Sequence, residues 1–154
     1  MRNKSRLYLD AFTPYRLSVL TNRISSAIAR HYSVRFGLSI PEWRVMAVLG
    51  ETPGLSARQV AERTAMDKVQ VSRAVQSLLA AKRLTRVSDR TDGRVTQLSL
   101  SARGRTIYNE VVPLALRLEA EFLSVLNAEE RKSFDALLTK LSAISSAMAN
   151  SAGV

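Results

Sequence analysis

No cysteine occurs in the 154 residues. Disulfides, thiolate metal sites and a thiol-based oxidant switch are thereby excluded. Histidine occurs once, as His31, and no Ser–His–acid or metal-ligand spacing accompanies it. So few catalytic groups argue against an enzyme and call for no cofactor and no metal. The adjacent acids Glu129 and Glu130 fall at a helix start and read as complements to its dipole, not as a catalytic pair. No apolar run approaches the roughly 20 residues of a membrane span, and the N-terminus lacks a signal-peptide core. A cytoplasmic protein with no membrane partner is expected. Internal repeats are absent, and the nearest thing to low complexity is a small polar tail after Met148.

Acids are also scarce. Thirteen Asp and Glu stand against 23 Lys and Arg, for a net charge of +10 and a pI near 10.8. Residues 1–40 carry +6, residues 41–100 carry +4 and residues 101–154 are neutral, while residues 68–105 hold nine basic residues against Asp89 and Asp92. A balance of this kind favours a polyanionic partner, nucleic acid before an acidic membrane. The apolar fraction of 46% supports a sizeable core, and the length fits one domain with an appended helical arm.

Helical spacing of Leu17, Leu20, Ile24, Ala27 and Ile28 predicts a helix over 15–36, which Gly37 can end. Ser39 caps the next, with Pro41 in its first turn, running to about Leu49. Pro53-Gly54 reads as a turn. Ser56, with Gln59 three residues on, caps a helix to about Arg63. Thr64-Ala65-Met66 is a three-residue turn, and Asp67 caps a longer helix over 68–82. Two capped helices around such a turn form a helix–turn–helix pattern, whose second helix enters a DNA groove.

On that second helix Val71, Ala74, Val75 and Leu78 share one side and should pack inward. The other side presents Val69, Arg73 and Gln76, with Gln70, Ser72 and Ser77 at its margins. Arginine suits guanine, glutamine suits adenine and a valine methyl suits thymine in a major groove. The serines, Lys68 and the helix N-terminus suit phosphates. Read without context, such a face is as often a plain solvated surface, but beyond the cap Asp67 it holds no acid.

Residues 84–105 follow directly. Two alternating runs flank Asp92-Gly93, a pair that predicts a two-residue turn with positive φ at both positions. The tip carries Arg90 and Arg94, ill suited to a core and well suited to phosphates. A narrow minor groove concentrates negative potential that draws in an arginine, here Arg94, with Arg90 on the adjacent backbone. Asp92 either orients the Arg94 guanidinium or serves the turn alone. Arg86, Arg103 and Arg105 read as phosphate neighbours or surface charges. After the hairpin Ser101 caps a long helix with an apolar stripe from Ile107 to Val125, in which Pro113 predicts a kink. Asn127 caps a last helix with Phe134, Leu137, Leu138, Leu141, Ile144 and Met148 on one face. A small domain has little on which to bury such stripes, so a second copy of the chain is the expected partner.

The run Asp-Arg-Thr-Asp-Gly-Arg before the second strand, with Leu-Ser-Leu-Ser-Ala-Arg-Gly-Arg after it, resembles the wing and following helix of the MarR (multiple antibiotic resistance regulator) family. The resemblance covers nearly all of residues 1–154 as a single MarR-type domain. It implies a mainly α fold with a small β-hairpin wing. The winged helix-turn-helix occupies 41–100, and dimerisation helices lie at 7–36 and 101–150. Members are typically homodimeric bacterial regulators, usually repressors, that bind palindromic operators on double-stranded DNA. Many are released by small phenolic or other aromatic ligands. Asp92 and Arg94 take the family's wing-tip positions, and Arg73 falls in its recognition helix. By the same resemblance a candidate ligand pocket involves Arg16, Ser25, His31, Tyr32 and Trp43, although a lone histidine is more often structural and a tryptophan more often core. Two departures stand out. Arg83 occupies a place commonly held by glycine at the junction of recognition helix and wing, and the cysteine of the oxidant-sensing branch is missing.

A sequence-specific regulator is therefore the leading expectation. A non-specific architectural DNA binder is the alternative, and a membrane-surface protein using Arg2, Lys4 and Arg6 is a third class that lacks the basic amphipathic helix it would need.

Overall fold

A computed structural model describes residues 6–88 and 90–151. A short turn of 3-10 helix, Leu9–Ala11, leads into α1, Thr13–Phe36. Gly37 ends α1 in the left-handed region at φ 61°, where only a residue without a β-carbon is unstrained. Helices α2 (Ile40–Glu51), α3 (Ala57–Thr64) and α4 (Lys68–Ala80) follow, then strands β1 (Leu84–Ser88) and β2 (Thr96–Leu100). The long helices α5 (Ala102–Leu123) and α6 (Ala128–Ser151) complete the chain. The fold is mainly α with one antiparallel hairpin.

The helix starts follow from local chemistry. Ser39 and Glu42 form a reciprocal capping box, as do Ser56 and Gln59. Asp67 Oδ1 accepts the Gln70 N–H at 2.8 Å. Ser101 Oγ accepts the Gly104 N–H at 3.0 Å, and Asn127 and Glu130 cap each other's backbone at 3.0 and 2.8 Å. Each cap satisfies a donor the helix leaves open and contributes about 1 kcal/mol.

The chain divides into two units, residues 1–113 and 114–154, with the boundary inside α5. Unit one holds the core: Tyr32, Leu38, Val45, Met46, Leu49, Val60, Val71, Leu78 and Val111 are almost entirely excluded from solvent. α2, α3 and α4 pack against one another, and β1 and β2 pair from Leu84↔Leu100 to Ser88↔Thr96. Leu55 joins β2 through a single bridge to Leu98, giving the hairpin a third edge contact that one residue's pattern could not announce. In unit two the apolar face of α6, including Leu137, Leu138, Leu141, Ile144 and Met148, is exposed in the single chain. α5 is continuously helical through Pro113, the position at which a kink is expected from sequence. Among the described residues no helix is long and apolar enough to cross a membrane.

The hairpin connection corrects the two-residue turn expected at Asp92-Gly93. Gly93 is not among the residues with positive φ, and the last described pair of the ladder is Ser88↔Thr96, so the described part of the connection is residues 90–95. Asp89 lies outside the described residues. The reason is burial. Arg90 to Val95 are all exposed, so a longer ladder would cover no apolar surface to offset the ordering of its backbone. Instead the Asp92 carbonyl accepts the Val95 N–H at 2.9 Å, closing a turn one position later.

Candidate nucleic-acid interface

α4 is divided cleanly by its period. Val71, Ala74, Val75 and Leu78 are buried, whereas Lys68, Val69, Gln70, Ser72, Arg73, Gln76 and Ser77 are exposed. Val69, left 58% exposed on this face, keeps apolar surface in water that contact with a partner would bury favourably. The three-residue turn before α4 holds Ala65 in the left-handed region at φ 53°. Thr64 Oγ1 donates to the Val60 carbonyl within α3 at 2.8 Å and accepts the Met66 N–H across the turn at 3.4 Å.

One member of this face is already engaged. The Ser77 hydroxyl donates to Glu42 Oε1 on α2 at 2.5 Å. Glu42 is 9% exposed and also accepts the Ser39 N–H through Oε2 at 2.7 Å. Burial alone would raise its pKa. The Ser39 backbone donor, the Ser77 and Ser39 hydroxyls and the nearby Arg83 charge together outweigh burial and hold it below the ordinary carboxylate value. Ser39-x-x-Glu42 is itself a capping-box spacing, so the sequence contained a sign of this residue's role that reading Ser39 alone passes over.

On the wing Arg86, Arg90, Asp92 and Arg94 are all exposed. Asp92 Oδ1 accepts the Arg94 backbone N–H at 3.0 Å, so the carboxylate shapes the turn that presents Arg94. Arg103 is exposed as well, but Arg105 turns inward. Its Nη1 donates to the Gly50 carbonyl at 3.1 Å, and its guanidinium lies 5.2 Å from the Tyr108 ring centroid. That assignment corrects its reading as a surface charge: the stem packs where α5 meets α2, and the head finds a carbonyl and a π face there.

The five candidate pocket residues fall into separate places. Tyr32 is 1% exposed and its ring centroid is 5.7 Å from that of Trp43, which in turn is 6.0 Å from Tyr108. Burial, opposed by the Arg44 charge, pushes the Tyr32 hydroxyl up to about 12. Arg16 lines an open groove of about 630 Å³ on α1 together with Leu9, Tyr15, Leu17 and Leu20. Ser25 is half-buried and His31 is exposed. Tyr108, the third ring of the stack, was not singled out by the sequence.

Residues 36–95 match the model of the MarR family. The chain is 26% identical over 124 residues to the HTH-type transcriptional repressor Rv2887 of Mycobacterium tuberculosis, covering 80% of this chain and 86% of that repressor. A MarR/EmrR family transcriptional regulator from Acinetobacter sp. ADP1 superposes with a TM-score of 0.83 at 24% identity, over 91% of this chain and 99% of that one. BpsR of Bordetella bronchiseptica, whose DNA binding is regulated by 6-hydroxynicotinic acid, superposes with a TM-score of 0.77 at 25% identity, over 90% and 98% of the two chains.

Proposed function

Because the chain belongs to the MarR family, we propose that it is a sequence-specific regulator of double-stranded DNA, acting as a homodimeric repressor of a palindromic operator. The observation that carries this reading is the paired exposure of an α4 face with no acid beyond the cap Asp67 and a wing loop that presents two arginines. The outer face of α4 offers Lys68, Val69, Gln70, Ser72, Arg73 and Gln76, and the wing loop offers Arg90 and Arg94. Arg73 and Gln76 supply the hydrogen-bonding groups that discriminate base pairs, while Lys68 and the α4 N-terminus bind phosphate. Arg94 enters the minor groove beside them.

The homodimer is supported by the exposed apolar face of α6 and by Leu7, Leu9, Phe12, Leu17 and Leu20 at the other end of the chain. Surfaces of this composition in a single chain mark protein interfaces. A two-fold dimer of this kind places its recognition helices about 34–36 Å apart, one turn of B-DNA. Release by a small aromatic effector is supported by the relative that responds to 6-hydroxynicotinic acid. In this chain the open groove on α1 offers the Arg16 cation for an acid group beside Leu9, Tyr15, Leu17 and Leu20.

The test is selection of duplexes from a random library, followed by affinity measurement on a selected and a scrambled duplex. A ratio on the order of 10³ or more at physiological salt is expected. A ratio near one would instead make the protein a non-specific architectural binder. Light scattering that returned a monomer at micromolar concentration would remove the dimer.

A further inference from the structure

The junction between α4 and β1 carries more than a chain reversal. α4 ends in a Schellman arrangement: the Lys82 N–H donates to the Leu79 carbonyl at 3.0 Å and the Arg83 N–H to the Leu78 carbonyl at 2.8 Å. Lys82, not Arg83, is the left-handed residue, at φ 56°. Arg83 is thereby free of the conformational demand that favours glycine, and its side chain is available for other work. The Arg83 carbonyl accepts the Ser101 N–H at 3.0 Å, and Ser101 Oγ donates to the Lys82 carbonyl at 2.8 Å, fixing the junction against the start of α5.

From this fixed point the half-buried Arg83 side chain reaches back to α1. Its Nη2 donates to the Phe36 carbonyl at the C-terminus of α1, the end where a cation is favoured by the helix dipole. Its charge acts on Glu42 at the start of α2. Glu42 in turn accepts the Ser77 hydroxyl of α4. Arg83 Nε is buried without a hydrogen-bond partner among the described residues. A buried polar group left unpaired is costly, and greasier side chains of similar length would fill the space without that cost. Arg83 therefore does something that packing alone does not require.

We propose that Arg83, Glu42 and Ser77 form an internal brace that sets the attitude of α4 against α1 and α2, and with it the DNA specificity of the exposed face. The three are positioning residues rather than DNA contacts, and Ser77 passes from the groove-reading set to the brace. Selectivity depends on this geometry because bidentate base contacts fail with small misplacements, whereas phosphate contacts tolerate them.

This inference rests on the proposed DNA-reading function, and its experiment separates the two. Wild type, R83M, R83K, S77A and R83M/S77A are measured on a selected and a scrambled duplex, with circular dichroism as the control for folding. S77A sits at an exposed helical position and keeps helix propensity, so it folds even where R83M does not. R83M and S77A are each expected to weaken the selected duplex by about tenfold and the scrambled one by less than about threefold. R83K recovers part of the loss. The double variant is expected to be little worse than either single one, as for residues of one network. Additive losses, or equal losses on both duplexes, or unchanged discrimination in S77A and R83K, overturn the brace while leaving the regulator reading intact. Failure of wild type itself to discriminate would overturn both.

Discussion

A β-carbon at Gly104 would stand 2.0 Å from the Arg83 carbonyl oxygen. The lack of a side chain at Gly104 lets the first turn of α5 lie directly against the end of α4. A β-carbon at Gly50 would meet the Tyr108 ring at 2.2 Å. The two glycines differ in what would have to move: backbone held by the Ser101 N–H in the first case, a side chain in the second. Gly104→Ala is therefore expected to cost more than Gly50→Ala, with overpacking losses of about 1–3 kcal/mol or more. Urea unfolding of both variants checks the order. Equal stabilities would mean that the α4–α5 junction yields as easily as a ring turns.

Arg73→Ala should weaken a selected duplex by about 1–3 kcal/mol and a scrambled one far less. Arg94→Ala should lose most where the minor groove is narrow and rich in A·T pairs. Lys68→Ala should weaken all sequences alike and flatten the salt dependence by about one unit of slope. Anisotropy titrations over a range of salt distinguish the three behaviours.

Stability should vary with pH at both extremes. Glu42 has a folded-state pKa below its ordinary value, so the stability it contributes is present above the usual carboxylate range. It is lost as pH falls through the folded value. Glu42→Gln should lower stability at neutral pH and shrink the loss on acidification. Tyr32 behaves oppositely. Its pKa rises from 10.0 to about 12, so its contribution is complete below 10 and is lost as pH climbs between those values. Tyr32→Phe should flatten the alkaline limb of a plot of Tm against pH.

Ala65 is exposed and holds a left-handed φ of 53° in the turn between α3 and α4. For an L-residue this conformation costs about 1–2 kcal/mol, part of which glycine returns as chain entropy. Ala65→Gly should stabilise the protein by up to about 1 kcal/mol without changing DNA affinity. A fall in Tm would show that the Ala65 methyl makes a contact worth more than the strain.

Local chemistry is what the sequence determined unaided. Ser39, Ser56, Asp67, Ser101 and Asn127 cap the helices they were expected to cap, because a cap depends on a residue and its neighbours three positions on. The inward side of α4 was equally plain, since Val71, Ala74, Val75 and Leu78 repeat with the helix itself. The wing turn is not settled by local chemistry. Asp-Gly favours a tight reversal locally, but how far the strands pair depends on what they cover, and Arg90 to Val95 cover nothing. Tertiary structure alone decided the roles of Arg83, Arg105 and Tyr108. Arg83 reaches Phe36 across 47 positions and Arg105 reaches Gly50 across 55. A long cation on a helix or strand looks the same in sequence whether it faces water, phosphate or a distant carbonyl, and only folding brings that carbonyl within reach.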